Sequence, residues 1–167
     1  MLYYFAYGSN LHPVRLTERV PSAQLVGVTR VTEYSLLFHK RSHDESSKCN
    51  LHYTGVDTDV VYGAIYTIGT MHKNTLDQFE GSGYSDQTIQ LHCQGQQYQC
   101  LTYIAHPSFI DNDLKPYHWY RDLVLAGARF LEFPEAYISE LTNVTSVDDP
   151  DHHRKNKHVS LLENCYI

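Results

Sequence analysis

Apolar and polar positions fall into short runs of two periods, and most of the chain can be read from where one period gives way to the other. Tyr3 to Tyr7 are aromatic or small, as in a buried strand. Gln24 to Val31 alternates and is β-branched, and Tyr34 to Phe38 reads as its partner strand. Val60 to Ile68 is the strongest strand signal and is expected at the centre of the sheet. Thr88–Cys93 and Tyr98–Ile104 form a hairpin, which His106-Pro107 ends. Between these, Leu11–Arg19, Asn74–Glu80, Lys115–Phe130 and Pro134–Leu141 carry helical spacing. Gly81 and Gly83 stop the second helix, and Gly127-Ala128 lets the third pack closely on the sheet. Arg41 to Asn50 is polar and reads as a loop. Strands outnumber helices, which come singly between them, so the class is α+β around a small, mostly antiparallel sheet.

The chain of 167 residues is one domain in size and can bury a proper core. Residues 1–145 carry the pattern, whereas 146–167 form a polar extension rich in Asp, His and Lys, expected to be partly mobile. A formal charge of -6 without a basic cluster sets nucleic acid aside. No apolar run is long enough to span a membrane and no secretory pattern opens the chain, so a cytoplasmic protein is expected. Cys49, Cys93, Cys100 and Cys165 have neither metal nor disulfide-framework spacing and read as free thiols. A hairpin turn centred on Gly95 and Gln96 would set Cys93 opposite Tyr98 and Cys100 opposite Leu91, too far apart to bridge easily. His39, His43, Cys49 and His52, and His152, His153 and His158, lack structural-zinc spacing, so no metal is expected.

Chemistry concentrates in Tyr4-Phe5-Ala6-Tyr7-Gly8-Ser9-Asn10, where a strand enters a glycine turn and then a helix. Ser9 and Asn10 offer N-cap oxygens, and Pro13 suits a first helical turn. Backbone N–H groups gathered there can hold an anion, a polarised carbonyl or a developing oxyanion. Taken alone, the pattern also fits an ordinary capped connection.

The string resembles the [YF]-x-[YF]-G-S-N signature of the gamma-glutamylcyclotransferase-like (AIG2-like) family, and Leu76-Asp77-Gln78-Phe79-Glu80-Gly81 resembles its second mark, a carboxylate in a Leu-Asp-x-x-Glu-Gly context. The resemblance implies a barrel-like sheet, no cofactor, and an enzyme that cyclises a gamma-glutamyl amino acid or amine to 5-oxoproline. It implies Glu80 as general acid and base, with Tyr4, Phe5, Ala6, Tyr7, Gly8, Ser9, Asn10 and Tyr120 around the substrate. On the residues alone, Glu80 fits a solvated helix-end glutamate and Tyr120 a core aromatic. Asp77 is expected near its helix start, where its charge is favourable. Only Ser82 and Gly83 separate Glu80-Gly81 from Tyr84, a shorter segment than is usual in the family, which bears on substrate choice. The asparagine of Tyr7-Gly8-Ser9-Asn10 argues against the glutathione-specific branch, whose turn reads Tyr-Gly-Ser-Leu. The partner expected is a small gamma-glutamyl molecule, with the protein a monomer or homodimer. The competing reading is a non-catalytic module of the same fold that binds a small carboxylate.

Overall fold

Seven strands and five helices follow one another in the computed structural model, which describes residues 1–166. They are β1 (Leu2–Ala6), α1 (Pro13–Arg19), β2 (Gln24–Thr32), β3 (Tyr34–Arg41), β4 (Ser47–Tyr53), β5 (Val60–Ile68), α2 (Lys73–Glu80), β6 (Tyr84–Cys93), β7 (Gln96–Ala105), α3 (His118–Phe130), α4 (Glu135–Thr142) and α5 (His152–Asn164). The main sheet has the order β2-β5-β1-β7-β6. Only β1 and β7 pair in parallel; the other neighbours are antiparallel. The fold is thus α+β on a mostly antiparallel sheet, with β1 at its centre and β5 and β7 on either side.

The sheet curves until its outer strands stand side by side, but no backbone ladder closes it. Side chains make the join. The Thr29 hydroxyl donates to the His92 carbonyl (2.6 Å), the Gln94 amide to Val26 (3.4 Å) and the Cys93 thiol to Val28 (3.5 Å). The result is barrel-like without being a closed barrel.

Three sequence expectations change. β3 pairs with β4 rather than with β2, which lies against β5. The stretch Arg41–Asn50 is therefore strand at Arg41 and from Ser47 onward, with residues 42–46 turning, because Cys49 and Leu51 supply apolar side chains that the hairpin buries. The β6–β7 turn is centred on Gln94 and Gly95, both at positive φ, so Cys93 faces Gln96 and Cys100 faces Ile89. A type I′ two-residue turn takes left-handed angles at both positions, and Gln94 (φ 51°) and Gly95 (φ 77°) adopt them here. All four cysteines are free thiols.

The core is one continuous cluster in which Phe5, Leu11, Leu51, Ile65, Tyr66, Leu76 and Leu123 have no exposed surface. The polar sequence after Ser146 contains α5. Asp151 caps it, accepting from the Arg154 N–H (3.0 Å), and its buried residues are Leu161 and Leu162. Asp149, 1% exposed, receives the Trp119 indole N–H (2.8 Å) and two Arg154 donors (2.7 and 2.6 Å), and the His158 ring stacks on Trp119 at 3.8 Å. These contacts tie the extension to α3.

Candidate active site

The strand-to-helix turn does not run straight into a helix start. The Leu11 N–H returns to the Gly8 carbonyl (3.1 Å), closing a four-residue turn, and α1 begins only at Pro13, with His12 as its cap. The His12 ring nitrogen accepts from the Val14 N–H (3.2 Å), so the cap is neither Ser9 nor Asn10. Their side chains are left for other work. The N–H groups of Gly8, Ser9 and Asn10 meet no acceptor among the described residues.

Three supports hold this turn. The Tyr66 hydroxyl donates to the Leu11 carbonyl (2.6 Å). Gly127 of α3 approaches so closely that a Cβ there would lie 2.4 Å from Leu11 Cβ and 2.9 Å from His12 N. The Gly127-Ala128 pair thus seats the helix on the lead-in to α1 rather than on the sheet. At Gly8 a Cβ would come within 3.1 Å of Cys49 Cβ and 3.6 Å of the Tyr120 hydroxyl, so the turn lies directly over β4 and α3.

Glu80 is the last residue of α2, after which Gly81, at φ 78°, turns the chain away. Its carboxylate points inward and accepts from the Asn10 amide at 2.8 Å, across 70 residues of chain. Asn10 also donates to the Tyr4 hydroxyl (3.2 Å) and accepts from Arg19 (3.0 Å). Burial pushes the Glu80 carboxyl above its ordinary value of 4.5, while the charges of Arg19, Lys40 and Arg15 and the Asn10 hydrogen bond pull it back. A helix C-terminus is also an unfavourable place for an anion.

Tyrosines complete the walls. Tyr120 accepts the Cys49 N–H (3.0 Å) and Tyr84 donates to the Cys49 carbonyl, so both ends of one residue of β4 are pinned. Tyr7 donates to the Tyr103 carbonyl. Burial raises Tyr4, Tyr7, Tyr84 and Tyr120 well above the usual phenol range, which keeps their protons on. Burial likewise pushes the Cys49 thiol up to about 12, so no thiolate nucleophile stands there.

Of the expected site residues, Tyr4, Tyr7, Gly8, Ser9, Asn10, Glu80 and Tyr120 line one cavity. Phe5 and Ala6 do not. Phe5 faces the opposite side of β1, with no exposed surface, and Ala6 is too short to reach past its neighbours. Cys49, Tyr84 and Tyr103 also line the cavity. Tyr84 stood beside the second motif in the sequence, but nothing local marks Cys49 or Tyr103: Cys49 arrives because the β3–β4 hairpin lies over Gly8, and Tyr103 through the pairing of β7 with β1. Asp77 lies in the second half of α2, salt-bridged to Lys73 (2.6 Å) and receiving the Tyr103 hydroxyl, outside the cavity lining.

Lys40 is 4% exposed, its ammonium lying 4.5 Å from the Tyr84 ring centroid and its stem filling the space that a side chain at Gly83 would need. Removing this charge removes an attraction that favours the Glu80 carboxylate. Lys40→Met is therefore expected to raise the Glu80 pKa further, read as a shift to higher pH in the titration of the Glu80 carboxyl carbon by NMR.

The fold and the site together define a small-molecule protein built on one buried carboxylate facing a glycine turn. The AIG2-like family model matches residues 60–141. Curated gamma-glutamylcyclotransferases from Homo sapiens and Bos taurus are 27% and 26% identical over 155 residues, covering 87% of this chain and 79% of theirs. A solved gamma-glutamyl cyclotransferase superposes with a TM-score of 0.81 at 22% identity, over 95% of this chain and 98% of that one. The chain is thus similar to the AIG2-like family over residues 60–141, and to gamma-glutamylcyclotransferases over most of its length. Among the described residues no helix is long and apolar enough to cross a membrane.

Proposed function

We propose that this protein cyclises a gamma-glutamyl amino acid or amine to 5-oxoproline, releasing the free amino acid or amine, with Glu80 as general base and then general acid. The observation that carries the reading is the 2.8 Å contact between Glu80 and Asn10, which puts a desolvated carboxylate against the turn of Tyr7-Gly8-Ser9-Asn10. The substrate brings its own nucleophile. Its α-amino nitrogen attacks the γ-carbonyl carbon to close the five-membered lactam, and the bond from that carbon to the leaving nitrogen breaks. Glu80 takes a proton from the attacking nitrogen and returns one to the leaving nitrogen, so no water is consumed.

Folding the substrate into the attacking conformation is worth several kcal/mol as effective molarity, roughly 7–11 in the best intramolecular cases. The N–H groups of Gly8, Ser9 and Asn10 suit the oxyanion, a contribution of about 10²–10³ in rate per well-placed donor. Arg15, Arg19 and Lys40 around Glu80 favour a substrate that carries its α-carboxylate. The cavity itself measures about 20 Å³, room for little more than one water. Substrate entry therefore widens it, and the chain on either side of Gly81 is the wall with the greatest backbone freedom.

The test is 5-oxoproline release from gamma-glutamyl dipeptides, gamma-glutamyl amines and glutathione, with wild type and Glu80→Gln side by side. Turnover by wild type alone supports the reading and identifies the leaving group. Stabilisation by 5-oxoproline with no turnover across the panel supports a carboxylate-binding module instead.

Tyr120 accepts the Cys49 N–H, and its own proton, which faces only the Cys49 sulfur, can turn to the substrate. Tyr120→Phe is expected to lower kcat/KM about tenfold, the equivalent of one hydrogen bond. It also strands the buried Cys49 N–H and lowers the thermal midpoint. A lower midpoint with unchanged kcat/KM would assign Tyr120 to the core alone.

A further inference from the structure

A larger cavity lies elsewhere, between β3, the start of β5 and α4, with a volume of about 460 Å³. That is the size of sites that hold small organic molecules. Its apolar bed includes Phe38, Tyr62 and Leu141. Asp59 and Glu140 bring two carboxylates to the lining, and no Lys, Arg or His lines it. Asp59 receives only the Ser35 hydroxyl (3.3 Å), and neither carboxylate has an ion-pair partner among the described residues. Tyr137 forms part of the wall, its ring edge-on to Tyr62 at 5.1 Å, and its buried hydroxyl, with the Tyr62 N–H facing it, completes no hydrogen bond.

These features select one kind of occupant. Apolar walls alone would take any hydrophobe, but two unpaired carboxylates repel an anion and gain nothing from a neutral molecule. Tyrosine and phenylalanine faces attract a cation as well. The orphan hydroxyl offers an acceptor to an N–H donor that parts the Tyr137 and Tyr62 rings. The Asp59 end of the cavity is fixed in place, since the Asp59 backbone is bonded at both ends, its carbonyl to the Glu33 N–H (2.9 Å) and its N–H to the Val56 carbonyl (3.0 Å). Phe38 separates this cavity from that of Glu80, for its ring also stands edge-on to Tyr120 at 6.3 Å.

We infer that the β3–α4 cavity is a second binding site, distinct from that of Glu80, for a small organic ammonium ion with an apolar body, its charge held by Asp59 and Glu140. The probe is phenethylammonium, with 2-phenylethanol as neutral and 3-phenylpropionate as anionic comparator, titrated into the full chain by calorimetry and followed by NMR.

The ammonium ion is expected to bind about tenfold more tightly than the alcohol, and the carboxylate not to bind. Each carboxylate near the surface contributes about threefold, so Glu140→Gln weakens binding about threefold and Asp59→Asn with Glu140→Gln about tenfold. Glu80→Gln leaves the affinity unchanged, and the shifted resonances fall on β3 and α4. Glu140 is exposed on its helix, so its single variant keeps the test open if the double variant does not fold. Equal affinity for ammonium and alcohol, indifference to Glu140→Gln, loss of binding in Glu80→Gln, or no binding of the ammonium ion at about 10 mM, where a Kd of 1 mM corresponds to about −4 kcal/mol, would each overturn the assignment.

Discussion

Glu80→Gln lowers turnover by about 10²–10⁴-fold and moves the thermal midpoint by no more than about 2 °C. The amide keeps the size of the carboxyl and still accepts from Asn10, so the contact at 2.8 Å survives. What is lost is the proton carrier. On stability, two terms oppose each other: removing the charge ends its attraction to Arg15, Arg19 and Lys40, and also ends the cost of burying it. The sign of the pH dependence follows from the direction of the shift. Because the folded-state pKa lies above the unfolded one, the native state binds more protons in the window that opens near 4.5, and the Glu80 contribution to stability falls as pH rises through it. Glu80→Gln removes that slope. Activity runs the other way, since a general base must be ionised, so turnover falls as pH drops through the same raised pKa. Steady-state rates and chemical denaturation measured across this window check both, and wild-type rates in a folded Glu80→Gln would end the claim for this residue.

Gly127→Ala, far from any proton transfer, damages both stability and turnover. Alanine is a better helix former than glycine by about 1 kcal/mol, which on its own would stabilise α3. Against this, the new Cβ would lie 2.4 Å from Leu11 Cβ and 2.9 Å from a backbone nitrogen, and Leu11 has no exposed surface into which to retreat. Overpacking of this kind costs typically 1–3 kcal/mol, and contact with backbone puts it at the upper end, for a net loss of about 2 kcal/mol. The thermal midpoint should drop by roughly 4–8 °C. The strain is relieved by moving the Gly8–Leu11 turn or α3 with Tyr120, and displacement of about 1 Å in a positioned group can cost up to 10²-fold in rate. Calorimetry with kinetics below the transition checks this; a variant with the same midpoint and kcat/KM would mean that the turn is not held by α3.

What the sequence discloses depends on the range of the interaction. Glu80 and the Tyr7-Gly8-Ser9-Asn10 turn were legible because each sits in a short motif, and β5 because nine consecutive residues have a strand's character. The segment from Arg41 to Asn50 reads as a loop because its charged residues, serines and histidine look solvated, as does Lys40 before it. Lys40 and Lys48 are in fact drawn over aromatic rings, and Ser46 and Ser47 are buried with no exposed surface. The partner of β3 followed that error, since a strand missing from the reading cannot be paired. Tyr103 enters the cavity because β7 pairs with β1 across more than 90 residues, and Cys49 because the β3–β4 hairpin lies over the Gly8 turn, information that no local window contains. Phe5 marks the opposite limit: a motif names consecutive residues, while a strand delivers alternate ones to a face.

The join between β2 and β6 governs how this sheet meets other chains. An outer strand normally presents a row of free carbonyls and N–H groups on which a foreign strand can be templated. Here the carbonyls of Val26, Val28 and His92 are already engaged by side chains of the opposite margin. Such a clasp yields more readily than a backbone ladder, so thermal breathing of the sheet begins at this margin. While it holds, the two most adhesive edges of the molecule are turned against each other, and the protein is shielded at high concentration from strand-by-strand growth into aggregates.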